Sequence, residues 1–235
     1  MKHKIKNSDC FDFLKIVKNN SVDFILIDPP YGIKYAEWDN KINYQQLSIE
    51  FKRVLKENGN IIIFQGWSEV CETIQIFKKQ FFLKNWIVYD RIKGRGAKTN
   101  FVSTREDILW FTNNEKVITT FNKIPSTIKK KTGGLGLRNG NPYRALSNVW
   151  TDISPIVPWS KERNIHPTQK PIELANRLID IFSNEGDIVM DCFAGSGTFL
   201  VSAMNKNRIA IGCEKKIEYF NIIQDRMNIN ENINN

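Results

Sequence analysis

Short apolar runs recur along the chain. Residues 22–27, 60–65, 85–90, 107–112, 187–191 and 208–213 read as strands. Between them the apolar spacing changes to that of helices. A helix at about 43–57 places Leu47, Phe51, Val54 and Leu55 on one face, with Gly59 as its C-terminal stop. Pro171 opens another, with Leu174, Leu178, Ile181 and Phe182 turned inward. Phe199 to Met204 reads as a third. Alternating strands and helices imply an α/β, doubly wound and mostly parallel sheet. The stretch from about 122 to 165 breaks the pattern. It has few long apolar runs and contains Lys129-Lys130-Lys131, Gly133-Gly134 and several prolines. It reads as an insert within a single domain covering 1–235. The Asn-rich tail from Asn228 is expected to fray.

Length and composition narrow the class. A chain of 235 residues can bury one sizeable core and a small insert. No run of about 18 or more apolar residues is present to span a membrane. The basic start, Met1-Lys2-His3-Lys4, leads into no apolar stretch of a secretory signal. Cys10, Cys71, Cys192 and Cys213 form no Cys-x-x-Cys pair, and His3 and His166 are the only histidines. No metal site is expected, and the cysteines are expected to be small buried side chains in a reducing cytoplasm. Charge is placed unevenly. Residues 91–170 carry 15 Lys and Arg against 5 Asp and Glu, while the rest carries 19 against 20. One basic segment in a balanced chain points to a polyanionic partner.

Two motifs carry chemistry. Asp28-Pro29-Pro30-Tyr31 follows the apolar run that ends at Ile27. A Pro-rich turn alone would explain the tetrapeptide. It would equally hold one polar group and one flat face in fixed positions, as a planar amine needs. The second motif is Asp191-Cys192-Phe193-Ala194-Gly195-Ser196-Gly197-Thr198, placed between a strand and a helix. Strand, Gly turn and helix N-terminus make a nucleotide-binding corner. Leu200 stands where the dinucleotide fingerprint has its third Gly, and no Gly-Lys-Ser/Thr element follows. Glu214 lies about 20 residues on, where ribose recognition requires an acid. The pattern suggests an adenosine-containing ligand without a pyrophosphate.

Together the motifs resemble the S-adenosylmethionine-dependent amino-methyltransferases of DNA. Their order, with Asp-Pro-Pro-Tyr first, is similar to that of the β class of adenine-N6 enzymes, the restriction-modification type. His166-Pro167-Thr168-Gln169-Lys170-Pro171 and Asp9-Cys10 match further segments of that class. The resemblance spans roughly residues 5 to 220. One departure is Cys192, where the family often has Pro.

The resemblance implies a seven-stranded methyltransferase sheet with one antiparallel strand, the one containing Ile108 to Thr112. It implies that Asp28 and the Pro29 carbonyl accept hydrogens from an adenine N6 amine. Pro30 would fix the turn, and Tyr31 would stack on a base flipped out of duplex DNA. The cofactor would meet Asp9, Cys10, Asp28, His166, Thr168, Gln169 and Lys170. It would also meet Asp191, Phe193, Ala194, Gly195, Ser196, Gly197, Thr198, Glu214 and Lys215. Lys93, Arg95 and Lys98, in a Gly-bearing loop, are candidates for phosphate contacts. The insert, as target-recognition region, offers Lys129, Lys130, Lys131, Arg138, Asn139, Asn141 and Arg144. A cytosine-N4 or RNA adenine substrate, or a nucleic-acid-binding protein without activity, stays open at this point. So do a homodimer and a cognate restriction endonuclease.

Overall fold

The computed structural model describes residues 3–31, 42–95, 98–99, 101–129, 143–157, 159–160, 162–163 and 167–233; at 93–95, 128–129, 144 and 228–233 the description is of the backbone. In chain order the elements are β1 (Lys4–Asn7), α1 (Cys10–Ile16), β2 (Val22–Ile27), α2 (Tyr44–Val54), β3 (Leu55–Gln65) and α3 (Val70–Phe77). Then come β4 (Phe82–Arg95), β5 (Ser103–Thr112), β6 (Pro125–Lys129), β7 (Tyr143–Ala145) and β8 (Val149–Trp150). The chain ends with α4 (Ile172–Phe182), β9 (Ile188–Asp191), α5 (Thr198–Asn205), β10 (Ile209–Glu214) and α6 (Ile217–Ile233).

Eight strands form one sheet in the order β1-β10-β9-β2-β3-β5-β4-β8. Strand β5 is antiparallel to both its neighbours, and every other pairing in this sheet is parallel. The antiparallel strand is therefore the one expected. The alternation of side chains along each strand feeds two cores. On one face Phe24, Leu26, Ile62, Phe64, Ile108 and Trp110 pack with Leu174, Leu178, Phe182, Phe199 and Ile223 of α4 to α6. On the other, Ile25, Ile27, Ile61, Ile63, Leu109 and Phe111 pack with Leu14, Leu47, Phe51 and Phe77 of α1 to α3. Helices on both faces explain why the strands are apolar without a break. Each such fully buried side chain contributes roughly 1.5–3 kcal/mol.

Several boundaries differ from the sequence reading. Helix α2 stops at Val54, and Leu55 is already extended (ψ 137) and pairs with Val22. Gly59 therefore lies within β3 and is not a helix stop; the register shift after Leu55 accommodates the intervening residues. The sheet gains an eighth strand, because Val149 and Trp150 pair with the edge of β4. Strand β1 was invisible to the apolar pattern, since its Lys4-Ile5-Lys6-Asn7 is largely polar and sits at the sheet edge beside β10. Lys93 and Arg95 belong to β4, not to a loop, and Arg95 pairs with Ser103 of β5. Helix α6 extends through Asn228 to Ile233. Cys10, Cys192 and Cys213 are buried, but Cys71 is exposed. Among the described residues no helix is long and apolar enough to cross a membrane.

The sheet has a switch point between β9 and β2. From there β10 and β1 extend to one side and β3, β5 and β4 to the other. Crevices outside the C-terminal ends of strands at such a point are where doubly wound sheets bind ligands.

Candidate active site

A cavity of about 780 Å³ opens at that switch point. Strands β2 and β9 run side by side, with Ile25 opposite Met190, so they deliver Asp28 and Asp191 to the same place. Strands β3 and β10 contribute Gln65 and Glu214 from their last positions. Because β5 runs the other way, its first residues, Ser103, Arg105 and Glu106, reach the same end of the sheet. The N-terminus of α1 supplies Asp9 and Cys10, and the segment before α4 supplies Thr168, Gln169 and Lys170.

The Gly turn is held from two sides. Gly197 is left-handed at φ 78 and starts α5, and a Cβ on it would come within 2.9 Å of Ile223. Glu214 accepts a hydrogen bond from the Gly195 N–H at 2.8 Å and another from the Lys216 N–H at 2.8 Å. Burial raises the Glu214 carboxyl above its ordinary range, and these N–H groups offset the effect in part. Arg226 of α6 donates to the Ser196 carbonyl and to Thr198. Asp9 caps α1 by accepting from the Phe11 N–H at 3.0 Å and pairs with Lys215 at 3.1 Å. Burial alone would raise the Asp9 carboxyl, but those two partners hold it below the usual range. The Cys10 thiol beside it is pushed up to about 12 by burial and by the Asp9 charge, so it is not a nucleophile at neutral pH.

The acid of the Asp-Pro-Pro-Tyr corner has two donors. The Tyr31 hydroxyl donates to Asp28 Oδ1 at 2.7 Å, and Lys170 Nζ donates to Asp28 Oδ2. Lys170 is buried and stands 3.4 Å from Glu106 Oε2 and 5.1 Å from the centre of the Phe64 ring. Burial acts to lower its pKa, but the charges of Asp28 and Glu106 prevail and raise it, so it stays protonated. Arg91 stands 3.6 Å from Glu106 Oε1. Burial raises the Tyr31 phenol well above its usual value, with Asp28 and Glu106 adding to the effect. Asp191 lies almost fully buried and accepts from the Phe193 N–H at 2.9 Å; burial moves its carboxyl well above the usual range.

The cavity thus brings together Asp9, Cys10, Asp28, Pro29, Pro30, Tyr31, Thr168, Gln169, Lys170, Asp191, Phe193 to Ser196, Thr198, Glu214 and Lys215. Gly197 shapes the turn behind it. His166, Lys130, Lys131, Arg138, Asn139 and Asn141 lie outside the described residues, as do the side chains of Lys93, Arg95, Lys129 and Arg144. Lys98 is exposed. Sequence reasoning missed Gln65, Trp67, Arg91, Arg105 and Glu106, all of which line the cavity. Glu106 carried no local motif. Its signal was an acid on a strand known to run against the others, which turns the strand's start toward the site.

A doubly wound sheet with one antiparallel strand, whose acid-Pro-Pro-aromatic corner and Gly turn face one cavity, defines a methyltransferase. Residues 22–225 match the family described as DNA methylase, and the chain belongs to that family. Type II methyltransferase M.HpaI of Haemophilus parainfluenzae is 33% identical over 243 residues, covering 97% of this chain and 74% of the relative. DNA adenine methyltransferase YhdJ of Escherichia coli (strain K12) is 32% identical over 245 residues, covering 96% and 82%. The crystal structure of M1.HpyAVI in complex with SAM superposes with a TM-score of 0.70 at 27% identity, covering 95% of this chain and 98% of that one.

Proposed function

We propose that this DNA methylase transfers a methyl group from S-adenosylmethionine to the N6 amine of an adenine flipped out of duplex DNA at a specific site. The observation that carries the reading is the meeting of the Asp28–Tyr31 corner with the Gly195–Thr198 turn and Glu214 in one cavity. S-adenosylmethionine fits the donor set. It bears a sulfonium and an ammonium, and Asp9, Asp28, Asp191 and Glu214 line the cavity. When bound, it supplies an electrophilic methyl group.

The residues divide the work. Glu214 holds the ribose hydroxyls with lone pairs left over from the Gly195 and Lys216 N–H groups. Asp9, Cys10, Phe193 and Thr168 to Lys170 line the remaining cofactor space, with His166 expected beside them. Asp28 and the Pro29 carbonyl accept the two amine hydrogens, which favours a pyramidal nitrogen with a directed lone pair. The Asp28 carboxylate is held in place by the Tyr31 hydroxyl and the Lys170 ammonium. Asp28 therefore orients the amine and receives its proton late, as positive charge develops. An acid at this position in place of a hydroxyl favours adenine over cytosine. Residues 122–165 act as the target-recognition region, and Lys93, Arg95 and Lys98 meet phosphates. The protein acts on duplex DNA in the cytoplasm; a cognate restriction endonuclease and a homodimer stay open.

Incubating the protein with labelled S-adenosylmethionine and duplex DNA, then mapping modified bases, tests the reading. N6-methyladenine within one short recurrent sequence is the expected product. Label in cytosine, in RNA or in neither overturns it.

A further inference from the structure

A chain of alternating charges runs from β4 to the Asp-Pro-Pro-Tyr corner. Arg91 pairs with Glu106 Oε1 at 3.6 Å, Glu106 Oε2 faces Lys170 at 3.4 Å, and Lys170 pairs with Asp28 Oδ2. Among the described residues Glu106 Oε2 is buried without a well-formed hydrogen bond, and the Lys170 ammonium is its nearest cation. Both carboxylates therefore compete for one buried cation. The balance matters for chemistry. An ammonium given wholly to Asp28 would withdraw the electron density that a substrate amine must meet, whereas a second carboxylate draws part of it away.

We infer that Glu106 is a positioning residue for methyl transfer: it shares the Lys170 ammonium with Asp28 and so keeps the Asp28 carboxylate a competent acceptor for the amine hydrogen. This rests on the methyl-transfer reading above. Glu106 acts through Lys170. Its place at the start of β5, the antiparallel strand of the eight-stranded sheet, brings it to the site although it lies far from either motif in sequence. Among the described residues, the other charged and titratable groups around this chain are Tyr31 and Tyr44 on the Asp28 side, Tyr89, Asp90, Arg91 and Glu173 on the Glu106 side, Asp191 behind Asp28, and Arg105 in the cavity wall. Of these, Arg91 contacts Glu106 directly. The phenols of Tyr31 and Tyr89 are raised by burial and stay neutral.

The linkage has a sign. Removing the Glu106 charge leaves Lys170 to Asp28 alone, so the Asp28 midpoint must fall. The test is Glu106→Gln, with Glu106→Asp as the variant that keeps the charge. Carbon-detected NMR of labelled Asp carboxyls follows the Asp28 titration in the cofactor-free protein, with Asp28→Asn fixing the assignment. In E106Q the midpoint is expected to fall, and kcat to drop by about tenfold or more, with its acid limb displaced to lower pH. Dissociation constants for DNA and for S-adenosylmethionine are expected to stay within about twofold. E106D is expected to restore most of the turnover and a midpoint near that of the wild type. An unmoved Asp28 midpoint in E106Q, a kcat within twofold of wild type, or an equal loss in E106D overturns the inference. If the wild type transfers no methyl group to DNA, the functional reading fails while the carboxyl titration still decides the coupling.

Discussion

Two acids at strand ends, Asp28 after β2 and Glu214 on β10, show how environment assigns roles to one chemical group. Asp28 is bound by a phenol and an ammonium, which hold its carboxylate in place but leave it lone pairs for a substrate. Glu214 spends its oxygens on backbone N–H groups of the Gly turn and of its own strand end. The variants should therefore separate. Asp28→Ala is expected to lower turnover by about a hundredfold or more while cofactor and DNA affinities persist. Single-turnover methylation beside equilibrium binding checks this, and turnover within tenfold of wild type removes Asp28 from the chemistry. Glu214→Ala is expected to weaken S-adenosylmethionine binding by about 1.5–3 kcal/mol, the range of a hydrogen bond to a charged group. DNA affinity without cofactor should be unaffected. Calorimetry reads the first effect, and an unchanged cofactor affinity would assign the ribose to another residue.

At the scale of elements, the sequence revealed what periodicity encodes. Residues 22–27, 107–112 and 188–191 announce themselves because helices cover both faces of their sheet. Helix α4 was legible because Leu174, Leu178, Ile181 and Phe182 follow a helical period and Pro171 precedes them. Asp28 to Tyr31, Asp191 to Thr198 and Glu214 were legible too, since they occupy strand ends and a Gly turn. What stayed hidden depends on contacts distant in sequence. Strand β1 exists because β10 offers it an edge, α2 ends at Val54 because Leu55 pairs with Val22, and Glu106 joins the site through strand direction. The pair Asp152–Arg177 belongs to the same hidden class. Arg177 of α4 donates to both Asp152 oxygens, at 2.8 and 2.9 Å, and lies 5.2 Å from the centre of the Trp150 ring. It ties the segment around β8 to the main helical layer. Arg177, with help from Thr127 and against the effect of burial, holds the Asp152 carboxyl below its ordinary range. A depressed carboxylate pKa contributes stability above the unfolded value, near 3.8, that is lost as pH falls through the folded value. Asp152→Asn should thus destabilise the protein by about 3–5 kcal/mol at neutral pH, since it leaves a buried guanidinium unpaired. The deficit should shrink as pH drops below 4. Denaturant melts across that range check the prediction, and a deficit independent of pH would trace the loss to packing.

At the scale of the whole molecule, the charge is segregated. Residues 91–170 carry 15 basic and 5 acidic side chains, more than the whole net charge of +9, and the rest of the chain is slightly acidic. Within that stretch two basic side chains are committed to the site: Lys170 to Asp28 and Arg91 to Glu106. Those pairs cannot serve DNA without being broken. The basic residues of the insert, Lys129 to Lys131 with Arg138 and Arg144, are therefore the stronger candidates for the duplex. Phosphate contacts and base contacts respond differently to salt. Neutralising phosphates releases counterions, so each contact steepens the fall of affinity with salt by a slope of about 0.9. Replacing Lys129, Lys130 and Lys131 together with Gln should flatten that slope by roughly 1 to 3, equally on every sequence. Arg138→Ala or Arg144→Ala should instead cost about 1–3 kcal/mol on the methylated sequence and little on a scrambled duplex, if that arginine reads a guanine. Binding isotherms on both duplexes at several salt concentrations separate the two behaviours. Equal losses on both duplexes would reduce the arginines to phosphate contacts, and an unaltered slope in the triple variant would put the duplex on another face of the protein.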